Sequence, residues 1–202
     1  MNRSTILALA VLLASPALAA QVRTAAYGLV KKEGLSICAT RATHVLDCSN
    51  LRLDAPSLDL VPCEGKYVRV EGVLRSSGSM CTTLTVDKVQ QAPEYGTASG
   101  TWKPGGTVQF TFFGLPGSLQ VLFLSPGKPG FTPLGDLGLF YLKLALHFPL
   151  VFLPISGTGS SPWPLKIPND PALAGLELVF QSGYVVMPQQ TLLMANALCG
   201  KV

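Results

Sequence analysis

Lys66-Tyr67-Val68-Arg69-Val70-Glu71 alternates polar and apolar side chains without a break, bracketed by Gly65 and Gly72. Successive side chains of a strand point to opposite faces, so Val68 and Val70 share one face and Tyr67, Arg69 and Glu71 the other. This is the pattern of a half-buried β-strand. Thr82-Thr83-Leu84-Thr85-Val86-Asp87-Lys88-Val89 repeats it, with Leu84 and Val86 expected inward. Between the two runs, Ser76-Ser77-Gly78-Ser79 has turn composition, and the pair reads as a hairpin. Upstream, residues 27–30 and 35–39 flank Lys31-Lys32-Glu33-Gly34 as a further strand pair around a solvated loop, and residues 44–53 supply at least one more strand.

Gly65-Lys66-Tyr67-Val68-Arg69-Val70-Glu71-Gly72-Val73, a loop and then Leu84-Thr85-Val86-Asp87-Lys88-Val89 resemble the middle of small exported OB-like domains. In those a G-K-x-V-x-V-x-G strand precedes an x-L-x-V-x-x-V strand. The resemblance implies a small barrel, of the kind that binds oligonucleotides or oligosaccharides across one face. On the exposed side of the strand only Tyr67 and Arg69 have stacking or clamping chemistry, and they form the candidate ligand face. The chain carries 15 Lys and Arg against 11 Asp and Glu, a net charge of +4 that is dispersed along the sequence. Nucleic-acid binding wants a clustered basic face with interleaved aromatics, so this class is not expected.

A composition break falls at Ala92-Pro93, where charge thins out and proline and glycine multiply. Beyond it Val108, Phe110 and Phe112 alternate with Gln109 and Thr111, and residues 119–124 form a short apolar strand closed by Ser125-Pro126-Gly127. Residues 134–155 are hydrophobic enough to be tested as a membrane span. Asp136, Lys143 and His147 interrupt them, Pro149 and Pro154 break any helix, and a lysine in a span is costly. A period of two fits better. It places Phe140, Leu142, Leu144, Leu146 and Phe148 on one face of a buried strand pair, and Tyr141, Lys143, Ala145 and His147 on the other.

The chain ends on Ile167-Pro168-Asn169-Asp170-Pro171-Ala172-Leu173-Ala174-Gly175, then Gln181, then Ala195-Asn196-Ala197-Leu198. This resembles a module near the C-terminus of many secreted bacterial proteins, with the pattern I-P-N-D-P-x-L-x-G, a later Q, and S-N-A-L. The resemblance implies a small β-sandwich of unassigned activity; Ala195 replaces the usual serine and Cys199 is extra. Asn169 and Asp170 have the chemistry of a tight turn, with Asp170 capping a single helical turn at Pro171-Ala172-Leu173 that Gly175 ends.

The first residues read as an export signal. Arg3 is the positive start, residues 6–13 the apolar stretch, and Ala17-Leu18-Ala19 the cleavage pattern after Ser15 and Pro16. The apolar stretch is well short of the roughly 20 residues of a permanent span. The mature chain is expected to begin at Ala20 or Gln21, and no cysteine there invites a lipid anchor. An oxidising destination suits the five cysteines. Cys38, Cys48, Cys63 and Cys81 crowd the first half and allow three connectivities; nearness in sequence favours Cys38 with Cys48 and Cys63 with Cys81. Cys199 reads as a buried thiol of the last strand, or as bonded to the first half or to a second chain. No C-x-x-C occurs, and neither histidine lies at ligand spacing beside the cysteines, so no zinc site and no cofactor are expected.

The expected fold is therefore all-β. A signal peptide over residues 1–19 precedes a disulfide-tied OB-like barrel over 20–92 and a β-sandwich over 97–202. Nucleophilic catalysis normally needs a histidine base, and only His44 and His147 exist. G-x-S-x-G, H-E-x-x-H and a phosphate-cradling glycine loop are absent. The second half offers few carboxylates, namely Asp136, Asp170 and Glu177. The leading expectation is an exported non-enzymatic protein, an interaction or envelope-structural module whose partner is an envelope or extracellular protein or a glycan. The alternatives are a small-ligand or glycan binder using Tyr67 and Arg69, and a hydrolase built on carboxylates.

Overall fold

The alternating run forms β4 (Tyr67–Ser76), with Val68 and Val70 buried, and β5 (Thr82–Gln91) turns Leu84 and Val86 inward beside them. The computed structural model describes residues 22–34, 38, 41–76, 81–127, 129–143, 145, 147–186 and 191–202. The expected export signal, most of the expected 35–39 strand and the 77–79 part of the expected turn lie outside these residues. With β1 (Val22–Lys32), β2 (His44–Leu46) and β3 (Leu51–Asp54), the strands close a barrel in the order β1-β2-β3-β5-β4. The pairing of β3 with β5 is parallel, and the others are antiparallel. Lys31 and Lys32 end β1 instead of lying in a loop. Ala26, Val30, Leu46, Leu51, Leu53 and Leu84 fill the interior. Gly72 does not end its strand. It sits inside β4 where the register against β5 shifts, and a Cβ there would meet the Thr85 carbonyl oxygen at 2.0 Å. Glycine is required by that close approach at the bulge.

The chain leaves β5 at Gln91 and enters a second pair of sheets at Gly96, within the stretch where the composition changes. A three-stranded sheet has the order β12-β7-β6, built from β6 (Gly96–Gly100), β7 (Thr107–Phe113) and β12 (Ser160–Lys166). A four-stranded sheet follows as β11-β8-β13-β14, from β8 (Leu119–Pro126), β11 (Phe148–Pro154), β13 (Glu177–Val186) and β14 (Thr191–Lys201). The expected alternation holds, with Val108, Phe110 and Phe112 all buried between the sheets against Leu122, Phe180 and Leu198. Phe110 and Phe180 pack with ring centroids 4.8 Å apart. Proline, expected at 149 and 154 to break any helix, lies inside strands here: Pro149 and Pro154 in β11, Pro162 and Pro164 in β12. Both are edge strands of their sheets, where a missing N–H costs no ladder bond. The Ile167–Gly175 motif forms a 3-10 turn at Pro171–Leu173, capped as expected by the Asp170 carboxylate, which accepts from the Ala172 N–H at 2.9 Å.

Residues 134–155 depart from the expected strand pair. Among the described residues of this stretch only β10 (Leu139–Phe140), paired with β9 (Thr132–Pro133), and β11 are strands, and Leu144 and Leu146 of the expected apolar face lie outside the described residues. Leu139, Phe140, Tyr141 and Leu142 are all buried in succession, so the two-residue alternation fails and Tyr141, expected on the polar face, is 0% exposed. The reason is that this segment is covered on both sides. It packs against the outer face of the four-stranded sheet through Val179 and Met194, and it joins the same apolar cluster as the barrel interior. Tyr141 carries the polar links. Its N–H donates to Gln181 Oε1 at 2.7 Å, its hydroxyl donates to the Tyr27 carbonyl at 2.9 Å and accepts from the Tyr27 N–H at 3.1 Å. Gln181 Nε2 donates to the carbonyls of Leu139 and Ala195.

The cysteine pairing expected from sequence proximity is wrong. Cys38 bonds Cys81 and Cys48 bonds Cys199, while the Cys63 thiol is free and partly buried against the barrel core. The Cα atoms lie 5.8 and 5.3 Å apart in the two bridges, within ordinary disulfide reach. Closure of the barrel and its packing on β14 bring together residues 43 and 151 positions apart, which spacing along the chain does not reveal.

Tyr141→Phe is expected to lower stability by about 1–3 kcal/mol, because two buried main-chain groups of Tyr27 lose their partner. Burial also holds the Tyr141 phenol well above the usual tyrosine range. An unfolded tyrosine ionises near about pH 10 while the buried one does not, so stability present below that pH is lost as pH rises above it. The variant should show a shallower alkaline loss in denaturant titrations. Equal stability and an unchanged alkaline limb would remove Tyr141 from its bridging role.

Candidate functional site

The β2–β3 turn is the local structure from which the site is built. Ser49 is fully buried; its hydroxyl donates to the Leu46 carbonyl and accepts from the Leu51 N–H. Cys48 and Asn50 both adopt left-handed backbone, with φ of 60° and 55°. Asparagine tolerates that region, but it is uncommon for cysteine. The conformation directs Cys48 at Cys199 near the end of β14. Beside the bridge lies a cleft of about 720 Å³. One wall comes from the barrel, through the residues just after β1, β2, this turn and β3. The other comes from Gly127, Pro129 and Phe131 after β8, the start of β13 and the end of β14.

Three of the charged side chains lining the cleft, Glu33, Asp47 and Arg52, take part in ion pairs. Arg52 Nε lies 2.5 Å from Glu33 Oε1, with the two side chains 16% and 10% exposed. Lys31 Nζ lies 2.8 Å from Asp47 Oδ2 in a more exposed pair. Glu177 and Lys201 lie opposite each other in register across β13 and β14. Glu33 Oε2 is shut off from solvent and has no hydrogen-bond partner. An acceptor stranded this way costs free energy, so it asks for an explanation.

Tyr67 and Arg69 are placed differently from an open ligand face. Tyr67 is half-buried; burial, then its hydrogen bond to Glu94 and the charge of Glu94, push its phenol well above the ordinary range. Arg69 pairs with Glu71, which also takes Lys88 Nζ at 3.3 Å, and its guanidinium carbon lies 5.8 Å from the centre of the Tyr27 ring. Tyr27 in turn meets Tyr95, and Tyr95 meets Tyr184, at centroid distances of 6.1 and 5.4 Å. Both candidate residues therefore border the contact between barrel and sandwich. A shallow depression of about 140 Å³ lies beside Arg69 and Glu71.

His44 is buried, with Nδ1 2.8 Å from the Thr43 hydroxyl and Nε2 3.1 Å from Glu64 Oε1. Thr43, His44 and Glu64 line neither the cleft nor the depression. Among the described residues no group of three His, Cys, Asp or Glu is placed to hold a metal ion, and no helix is long and apolar enough to cross a membrane. Comparison with protein-family models, with curated proteins and with solved structures found no match.

Reading the sequence singled out neither Glu33 nor Arg52. Their pairing joins the residue after β1 to β3 over the short strand β2 on the outside of the barrel, and the second wall of the cleft arrives with Cys199 from the far end of the chain. Cys199→Ala is expected to destabilise the protein by about 2–4 kcal/mol through loss of a long-range crosslink. Alkylation of the unfolded, unreduced chain should rise from one modified thiol, Cys63, to two, Cys48 and Cys63. A native chain taking no label, or a variant with unchanged melting, would contradict the pairing.

Proposed function

We propose that the chain is an exported, non-enzymatic binding protein that takes its ligand in the cleft between barrel and sandwich. The carrying observation is the cleft itself. Its volume of about 720 Å³ falls within the roughly 300–1,000 Å³ of small-molecule sites, and a covalent bridge fixes both walls. Two intramolecular disulfides fit an oxidising compartment. The start of β1 at Val22, just beyond the expected cleavage site, supports removal of residues 1–19 without loss of a barrel strand. Five strands closed with one parallel, non-sequential pairing support the OB-like reading of the barrel. The two facing sheets with their capped 3-10 turn support the secreted sandwich module. The engagement of Tyr67 with Glu94, and of Arg69 with Glu71 and Tyr27, favours the cleft over the barrel face as the ligand site. Three carboxylates do line the cleft, but Glu33 and Asp47 are each held by a cation, which suits ion pairing better than acid–base work.

The test is NMR of the labelled mature protein against the small-molecule and oligosaccharide fractions of the native envelope. Shifts are expected at amides 33–34, 45–52, 177–179 and 199–201, with the bound compound recovered at unchanged mass. Shifts confined to another surface would overturn the cleft as the site, and a chemically altered compound would overturn the non-enzymatic reading.

A further inference from the structure

The two disulfides of this chain sit in opposite surroundings. Cys38, one end of the first, is buried at 8% exposure. Cys199, one end of the second, is exposed, Cys48 is partly buried, and both line the cleft. Strand alternation turns Cys199 toward that cleft. Leu198 packs into the core between the sheets, and a side chain at Gly200 would run into Trp102, which packs against that same core. Cys199, between them, points to the outer face of β14. There it lies opposite Val179 and on the same side as Lys201, whose partner in register is Glu177, and all four line the cleft.

Thiol–disulfide exchange needs a path for a thiolate to one of the two sulfurs, and exposed or strained bridges are the labile ones. The backbone works in the same direction. Cys48 holds a left-handed conformation, φ 60°, that cysteine seldom adopts. The bridge is one of the constraints that keep it there, so opening the bond relieves that conformation. Opening does not part the two halves, because the hydrogen bonds of Tyr141 to Tyr27 and Gln181 join them without using sulfur. Cys48 then stays close to Cys199, ready to close the bond again.

We propose that the cleft captures a low-molecular-weight thiol as a mixed disulfide on Cys199. This rests on the cleft being the binding site, and it names the ligand's chemistry there. The incoming thiol loses its proton and its sulfur attacks Cys199 Sγ. The new S–S bond forms as the Cys48–Cys199 bond breaks, and the electron pair and a proton go to Cys48 as a free thiol. The thiol is oxidised as Cys48 is reduced, so the exchange needs no other oxidant or reductant. In the reverse step the Cys48 thiolate attacks Cys199 Sγ and expels the thiol unchanged, which is binding without turnover. The cleft, at about 720 Å³, admits a small molecule and not a folded dithiol protein.

The experiment treats the mature, disulfide-bonded protein with reduced glutathione, cysteine or cysteamine and quenches samples with acid at intervals. Alkylation of the unfolded chain and peptide mass spectrometry then count each thiol. At least one reagent is expected to open Cys48–Cys199 about tenfold faster or more than Cys38–Cys81, with the chain still folded by NMR. In Cys48→Ser nothing expels the captured thiol, so the reagent's own disulfide should leave a stable adduct on Cys199. Glu177→Trp fills the cleft from an exposed wall position and should slow opening of Cys48–Cys199 while leaving the Cys38–Cys81 rate unchanged. The wild-type rates carry the test if either variant does not fold. Equal rates for the two bridges, or opening that Glu177→Trp leaves as fast, would overturn the proposal. The S-methyl ethers of the same reagents cannot exchange. If these ethers or the envelope fractions shift the cleft amides while no thiol opens the bridge, capture is overturned and the cleft is spared as a binding site. A cleft silent to every probe, and to the envelope fractions, would remove both readings.

Discussion

The hydroxyl of Tyr141 closes a gap that the barrel leaves in its own hydrogen bonding. β1 pairs with β4 along most of its length, but with β2 only over Val30–Lys32. At Tyr27 one edge of β1 is therefore open, and an unpaired buried N–H and C=O there would be costly. One phenol serves both groups, as acceptor and as donor. It can do so because burial keeps it protonated. Through its own N–H, Tyr141 leans on Gln181, whose amide is satisfied by β10 and β14. A barrel strand, the 139–142 segment and the centre of the four-stranded sheet thus share one polar network inside an apolar cluster. In low dielectric such a network is strong when complete and expensive when broken, so it fixes one arrangement of the two halves.

That fixed arrangement shapes the cleft. Its two walls belong to parts of the chain far apart in sequence, and a loose hinge would let the opening vary. The Tyr141 network holds the halves together on one side, and Cys48–Cys199 ties them at the cleft. A ligand entering such a site does not have to order the lobes, and avoided ordering is what preorganisation contributes to affinity. The left-handed Cys48 belongs to the same logic. An unfavourable backbone conformation persists where the surroundings over-determine it, and here the buried Ser49 bonds and the disulfide do so.

Much of this fold was legible because it is local. Val68 and Val70, Leu84 and Val86, and Val108, Phe110 and Phe112 each lie on the face that a period of two assigns them, and Asp170 caps the turn its neighbours begin. The period failed at Tyr141, where a segment buried on both sides has no solvent face to alternate with. Cysteine pairing failed for a different reason. Sequence separation ranks pairs by loop entropy, whereas barrel closure and the packing of β14 decide which sulfurs meet. Tyr67 and Arg69 do lie on the non-core face of β4, as alternation requires. Alternation is silent on what covers that face, and in this protein Tyr27, Glu71 and Glu94 engage it. Glu33 and Arg52 carried no signal at all, because a buried ion pair looks in sequence like any two surface charges.

The sandwich edges show how a sheet with apolar side chains on its border avoids growing. Phe148 and Phe152 on β11 are 57% and 61% exposed, and an exposed apolar edge strand invites pairing with another chain. Pairing requires a continuous row of N–H and C=O groups. Pro149 and Pro154 delete donors from that row, and the register shift between Pro149 and Val151 bends it. On β12, an edge strand of the three-stranded sheet, Pro162 and Pro164 face β7 residues Thr111 and Gln109 in register. In β11 and β12 proline sits on edge strands, where the missing donor costs least, and there its effect is to stop a further strand from adding. The protection acts on the backbone and the exposure belongs to the side chains, so apolar surface and resistance to strand addition coexist on one edge.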